Sequence, residues 1–128
     1  MKILNISLGD RSYPIYIGQK LLGDTEIFHR HAKSKTIAIV TNVTVAPLYL
    51  NMLIKTLGKD KKIIPIVLPD GEDHKNLDTL NLIYDALLKN KAGRDVLLIA
   101  LGGGVIGDIC GFAAATFMRG VDFIQIPT

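Results

Sequence analysis

Three features of this sequence predict an open α/β fold: a mainly parallel sheet with helices on both faces, opened by a β-hairpin. From Thr36 onward, short apolar stretches alternate with longer amphipathic ones, the pattern of strand–helix–strand units. The short stretches are apolar at nearly every position, as strands buried inside a parallel sheet are. Before Thr36, two runs with alternating apolar residues flank a polar turn, which reads as a hairpin.

The hairpin pairs residues 3–8 (Ile3, Ile6, Leu8) with residues 13–17 (Tyr13, Ile15, Ile17) across Gly9-Asp10-Arg11-Ser12, and Gly18 ends it. A short helix is expected from Leu21 to Arg30. His29 and His31 lie two apart, a spacing that sends them to different helix faces, so they are read as solvated side chains and not as a metal pair. Thr36–Val40 is a strand closed by Thr41-Asn42. Val45–Leu57 is a helix whose apolar face is Leu48, Met52 or Leu53, and Leu57. Met52 is read there as core, and Gly58 as the stop.

A strand follows over residues 63–68, and Pro65 assigns it to a sheet edge or a bulge. The charged loop Pro69–Lys75 leads to Asn76, which can cap a helix running to Asn90. That helix carries an apolar stripe of Leu77, Leu80, Ile83, Tyr84, Leu87 and Leu88. Ala92-Gly93-Arg94 leads into the strand 96–101, and residues 109–118 read as a buried small-residue helix. Phe123–Ile126 is the last strand, before Pro127-Thr128.

Composition narrows the function. The 128 residues suit one domain, and 48% apolar content supports a sizeable core. No apolar run reaches the roughly 18 residues that span a bilayer. A net charge of +3 is too small and scattered to argue for nucleic acid. The single Cys110 excludes a disulfide framework, fits a reducing, cytoplasmic compartment, and reads as a buried thiol.

The chemistry concentrates in Leu101-Gly102-Gly103-Gly104-Val105-Ile106-Gly107-Asp108, between a strand and a helix. Glycines there bare backbone N–H groups at the positive end of a helix dipole, a place for phosphate. Gly102, Gly104 and Gly107 satisfy G-x-G-x-x-G, which makes the fold Rossmann-like. An ordinary dinucleotide fingerprint would sit on the first βα unit, with an acidic residue closing the next strand. Here the motif comes late, and Asp122 opens the next strand. A polyphosphate site is therefore expected, and an ordinary Rossmann site is not.

Thr41-Asn42, Asp70–Lys75, Gly102–Asp108 and Pro127-Thr128 all follow strand ends, so a parallel sheet gathers them on one rim. The Gly102–Gly104 amides suit a pyrophosphate. Lys75 suits a phosphate or a ribose hydroxyl, Asn42 and Glu72 suit ribose or adenine edges, and Asp108 can orient a polar ring. Each has a plainer reading. Asp70-Gly71 is a common turn pair, Lys75 a surface lysine and His74 polar filler. Asp108 is favoured by the helix dipole in any case, and Arg119-Gly120 can be a helix-ending cation and cap.

Taken together, these residues resemble the amino-terminal half of the 3-dehydroquinate synthase family. The resemblance rests on Asp70-Gly71-Glu72-x-x-Lys75, on Leu101 to Asp108, on Gly111-Phe112-Ala113-Ala114, on Met118-Arg119-Gly120 and on Ile126-Pro127-Thr128. Gly9 to Ile15 and Val40 to Tyr49 look similar as well. The resemblance implies an NAD-binding domain over residues 1–128 of an NAD- and metal-dependent lyase of the shikimate pathway. The family turns the sugar phosphate 3-deoxy-D-arabino-heptulosonate 7-phosphate into 3-dehydroquinate and phosphate.

By position, the resemblance puts Asn42, Asp70, Gly71, Glu72, Asp73, His74, Lys75, Gly104, Val105, Ile106, Gly107, Asp108 and Thr128 on NAD. It puts Arg119 on the substrate phosphate of a partner subunit, which implies a homodimer. It implies zinc or cobalt held by residues outside this chain, and no catalytic or metal-binding residue within it. The isolated chain is accordingly expected to be inactive. Neighbouring readings are the nucleotide domain of another sugar-phosphate cyclase or of a metal-dependent polyol dehydrogenase, or a non-catalytic nucleotide-binding module.

Overall fold

The computed structural model describes all residues, 1–128. Strands β1 (Lys2–Ile6) and β2 (Tyr13–Ile17) form the expected hairpin, in a two-stranded sheet of its own. Ile6 pairs with Tyr13, so β1 ends before Leu8, and a 3-10 turn at Gly9–Arg11 fills the connection. The main sheet holds β3 (Thr36–Asn42), β4 (Lys62–Leu68), β5 (Leu97–Gly102) and β6 (Asp122–Pro127), all parallel, in the order β4-β3-β5-β6. Pro65 lies on the edge strand β4, where a missing N–H costs no ladder bond.

The helices are α1 (Thr25–His31), α2 (Ala46–Leu57), α3 (Leu77–Lys89) and α4 (Gly104–Thr116). Side chains alternate across the sheet and build two cores. Ala38, Val40, Leu98 and Ala100 face the helices α3 and α4, and Ile37, Ile39, Ile99 and Leu101 face α1 and α2. Helices thus cover both faces, as expected.

Several expected details change. The helix foreseen from Leu21 starts at Thr25, because Asp24 Oδ1 accepts the amides of Glu26 and Ile27 at 3.1 and 3.2 Å and caps it there. Leu21–Gly23 is a separate 3-10 turn. His31 is exposed but not merely solvated. Its Nε2 lies 2.8 Å from Tyr16 Oη and its ring meets the tyrosine edge-on, tying the hairpin to α1.

The apolar face of α2 is Leu50, Leu53, Ile54 and Leu57, not the face through Leu48. Leu48 and Met52 are 66% and 54% exposed, so Met52 is not core. Both sets have helical spacing, and only packing on β3 separates them. On α3, Leu80, Ile83 and Leu87 are buried while Leu77 and Leu88 are exposed. The buried helix α4 starts at Gly104, five residues before Ile109, and stops at Thr116.

Candidate functional site

The chain leaves β3 toward β4, then returns to lay β5 on the other side of β3. Right-handed crossovers in opposite directions put α2 and α4 on opposite faces. A crevice opens between them at the carboxyl ends of β3 and β5, the usual ligand position in an open α/β sheet. The loops after β3 and β5 meet there, flanked by those after β4 and β6.

The β5–α4 turn supplies the crevice's positive wall. Gly103 is the N-cap residue of α4 and offers no side chain to it. The first helix amide with a backbone partner is Gly107, on Gly103 O at 3.0 Å. The amides of Gly104, Val105 and Ile106 come earlier and are left for an outside acceptor.

The glycines divide into two pairs. A Cβ on Gly102 would stand 3.0 Å from the Ile106 side chain, and one on Gly107 would run into Gln125 Nε2 of β6. Gly102 thus packs against a buried core side chain, while Gly107 faces the movable end of the exposed Gln125 side chain. A Cβ on Gly103 or Gly104 would meet nothing within 4 Å. Both residues are exposed, so the space that they leave empty is open at the start of α4. Ile106, expected at the site, contributes only its amide, since its side chain is buried in the core. Thr128 donates its amide to Gly102 O at 3.2 Å, which brings the chain end onto the same turn.

The loop after β4 contributes charge. Residues Glu72–His74 form a 3-10 turn after Gly71, whose φ of +116° favours glycine. Lys75 Nζ reaches over β3 to Asp108 Oδ2 at 2.6 Å and lies 3.8 Å from Glu72. The hydrogen bond that Lys75 donates to Asp108, then the charge of that carboxylate, raise the Lys75 pKa. The lysine expected on a phosphate or a ribose hydroxyl is paired with Asp108 in this structure. Asp73 is exposed and His74 half-buried on the same turn.

Asn42 ends β3 and is buried. Its Oδ1 accepts the amides of Thr44 and Val45 at 3.0 and 2.8 Å, and its Nδ2 donates to Asp70 Oδ1 at 3.2 Å. Thr44 Oγ1 donates to Asp70 Oδ2 at 2.6 Å. Sequence reasoning missed Thr44, although its hydroxyl follows the strand end by two residues, within reach of the same rim. Beside Asn42, Thr41 is fully buried and its hydroxyl has no partner.

Arg119 is not brought to this rim. Thirteen residues of α4 separate the two ends of that helix, about 20 Å at 1.5 Å per residue. Met118, Arg119 and Gly120 have φ of +49°, +64° and +113°, three left-handed residues in a row. Phe117–Arg119 forms a 3-10 turn that follows directly on α4 and Gly120 is its C-cap, so the exposed Arg119 ends that turn as a helix-ending cation would. Cys110 is buried, which pushes its thiol up to about 12, far from a nucleophile's range. A groove of about 440 Å³ beside Thr25, His29, Thr56 and Asp60 lies at the opposite rim, where β4 begins. No three His, Cys, Asp or Glu side chains are grouped to hold a metal, and no helix is long and apolar enough to cross a membrane.

Fold and rim together define an open parallel α/β domain with an uncapped, glycine-lined helix start at its switch point. A model of the family "3-dehydroquinate synthase N-terminal" matches residues 65–128, and the chain belongs to that family. A 3-dehydroquinate synthase of Pseudomonas aeruginosa is 56% identical over all 128 residues. The match covers 34% of that relative, so the chain spans about a third of the length of the curated relatives it matches. Two solved structures share the fold. One is 2-deoxy-scyllo-inosose synthase complexed with carbaglucose-6-phosphate, NAD⁺ and Co²⁺, with TM-score 0.88 and 23% identity over 99% of this chain and 35% of that one. The other is 2-epi-5-epi-valiolone synthase from Streptomyces hygroscopicus with NAD⁺ and Zn²⁺ bound, with TM-score 0.76 and 28% identity over 95% of this chain and 34% of that one.

Proposed function

We propose that this chain is the NAD-binding domain of a cytoplasmic 3-dehydroquinate synthase, which converts 3-deoxy-D-arabino-heptulosonate 7-phosphate to 3-dehydroquinate and phosphate. The observation that carries this reading is the start of α4: unsatisfied amides beside two exposed glycines whose missing Cβ atoms leave the crevice open. That cradle fits a pyrophosphate in shape and charge. NAD⁺ in two solved structures of the same fold supports the nucleotide, and 56% identity to a 3-dehydroquinate synthase supports that enzyme over a cyclase of another product.

In this reading the amides of Gly104, Val105 and Ile106 hold the pyrophosphate, and Gly107 lets α4 lie close to β6. Asn42, Asp70, Gly71, Glu72, Asp73 and His74 form the wall along the adenosine side, with Thr128 closing the glycine turn from the β6 side. Lys75 and Asp108 form a neutral pair across the crevice, so that each orients the other toward the nucleotide. Bound NAD⁺ supplies a hydride acceptor that is regenerated within the reaction. The zinc or cobalt ion of the whole enzyme is held by residues outside this chain. Arg119, at the far end of α4, reaches the substrate phosphate of a partner subunit in a homodimer, where its fork suits a phosphate. The isolated chain does not turn over substrate.

Calorimetric titration of the chain with NAD⁺, beside a Gly104→Val variant, tests this. Saturable binding in the parent that is lost in an equally folded variant is expected. A folded parent that binds no NAD⁺, or a variant that binds as the parent does, overturns the assignment.

A further inference from the structure

We propose that Thr44 is a positioning residue for nucleotide recognition. It aims the Asp70 carboxylate so that Asp70 accepts the two hydroxyls of a ribose and rejects a ribose carrying a 2′-phosphate. The proposal rests on the nucleotide reading above and goes beyond it, to how this rim selects between nucleotides.

The argument starts from the backbone. Asn42 Oδ1 takes two amides, from Thr44 and Val45, which turns its Nδ2 outward onto Asp70 Oδ1. Thr44 Oγ1 then donates to the other oxygen, Oδ2, at 2.6 Å, the short distance of a charge-assisted bond. Each oxygen of Asp70 therefore has one donor from the β3–α2 turn, and the carboxylate plane is set by two anchors on a different loop from its own. An ionised carboxylate has about four lone-pair positions, so about two remain. Asp70 is exposed, and those positions are open to a ligand.

A vicinal diol brings two O–H donors to such an acceptor. A 2′-phosphate replaces one of these donors, leaves only the 3′-hydroxyl, and adds negative charge beside Asp70, Glu72 and Asp73. Lys75, the lysine of that loop, does not offset this charge, because Asp108 holds it at 2.6 Å. The hydroxyl of Thr44 is separable from the fold. Thr44 is exposed, and its backbone N–H is already bonded to Asn42.

The test is titration of the parent, Thr44→Val and Thr44→Ser with NAD⁺ and with NADP⁺, with the melting temperature of each. The parent is expected to prefer NAD⁺. Thr44→Val should melt as the parent does, lose about tenfold in NAD⁺ affinity and gain or keep its weak NADP⁺ affinity, so the preference narrows by at least about tenfold. Thr44→Ser, which keeps the hydroxyl, should restore the preference. Thr44→Val with the parent's preference, or Thr44→Ser failing as Val does, overturns the proposal while leaving NAD⁺ binding intact. A folded parent that binds neither nucleotide overturns the nucleotide reading, and this proposal with it.

Discussion

At the β3–α2 junction, Asn42 folds back and accepts two amides of its own turn, and Pro47 removes another donor at the helix start. At the neighbouring β5–α4 junction, Gly103 has no side chain to accept an amide, and the first helix amides stay open. The two junctions sit side by side at one rim, and both helices point their positive ends at it. The third helix that starts there, α3, is capped by Asn76, which accepts the Thr79 amide at 3.0 Å. The turns before α2 and α3 thus each use an asparagine to hold backbone amides, and the turn before α4 has no such side chain. An uncapped start weakens its helix, so α4 gives up stability where α3, capped by Asn76, does not. The two junctions differ in open against occupied amides, and the difference can be broken by making them alike.

Gly103→Asp does so most directly, and should have the largest effect. Gly103 has φ of −80° and open space at its Cβ position, so an aspartate fits without strain. It would cap α4 and raise stability by about 0.5 kcal/mol. It would also set a carboxylate against the pyrophosphate and weaken NAD⁺ binding by about a hundredfold. Thermal melting and calorimetry on one sample read both arms. A variant that binds NAD⁺ as well as the parent would show that the open amides are not the anion site.

A middle effect comes from Gly102→Ala. Its added methyl meets the buried Ile106 side chain at 3.0 Å, beneath the turn and not in the crevice. The expected cost is about 1–3 kcal/mol of stability, read by denaturant unfolding. An unchanged midpoint would mean that the turn relaxes freely, and the division of the glycines into packing and ligand pairs would fall.

The smallest effect sharpens the comparison at the crevice edge. Lys75 has its pKa raised above the ordinary 10.5 by Asp108, so their pairing stabilises the fold below that pH and is lost as pH rises through the raised value. Both side chains are largely exposed, so the effect on melting is slight. The parent should melt slightly above Asp108→Asn at neutral pH, and the gap should close as pH climbs past 10.5. A gap that persists at high pH would assign the difference to something other than this pair.

Much of this was legible from residue order alone. Alternating apolar and amphipathic stretches determined the parallel α/β class, because only such a sheet buries strands that are apolar on both sides. The three glycines between strand and helix marked a turn that bares backbone amides at a helix start, and Pro65 an edge strand or a bulge, since both follow from backbone chemistry at one place in the chain. Asn76 was likewise readable as a cap, because its partner Thr79 is three residues away.

What tertiary structure alone decided involves residues far apart in sequence. Spacing could not choose between the Leu48 face and the Leu50 face of α2, because both repeat helically and only contact with β3 selects one. Nor could it place β5 beside β3 and so put the switch point between Asn42 and Gly103. The pairing of Lys75 with Asp108, and of Thr44 and Asn42 with Asp70, spans 26 to 33 residues. Hydrogen bonds of that reach exist only once the sheet has ordered its strands, which is why the chain's pattern names the rim and the fold names the partners within it.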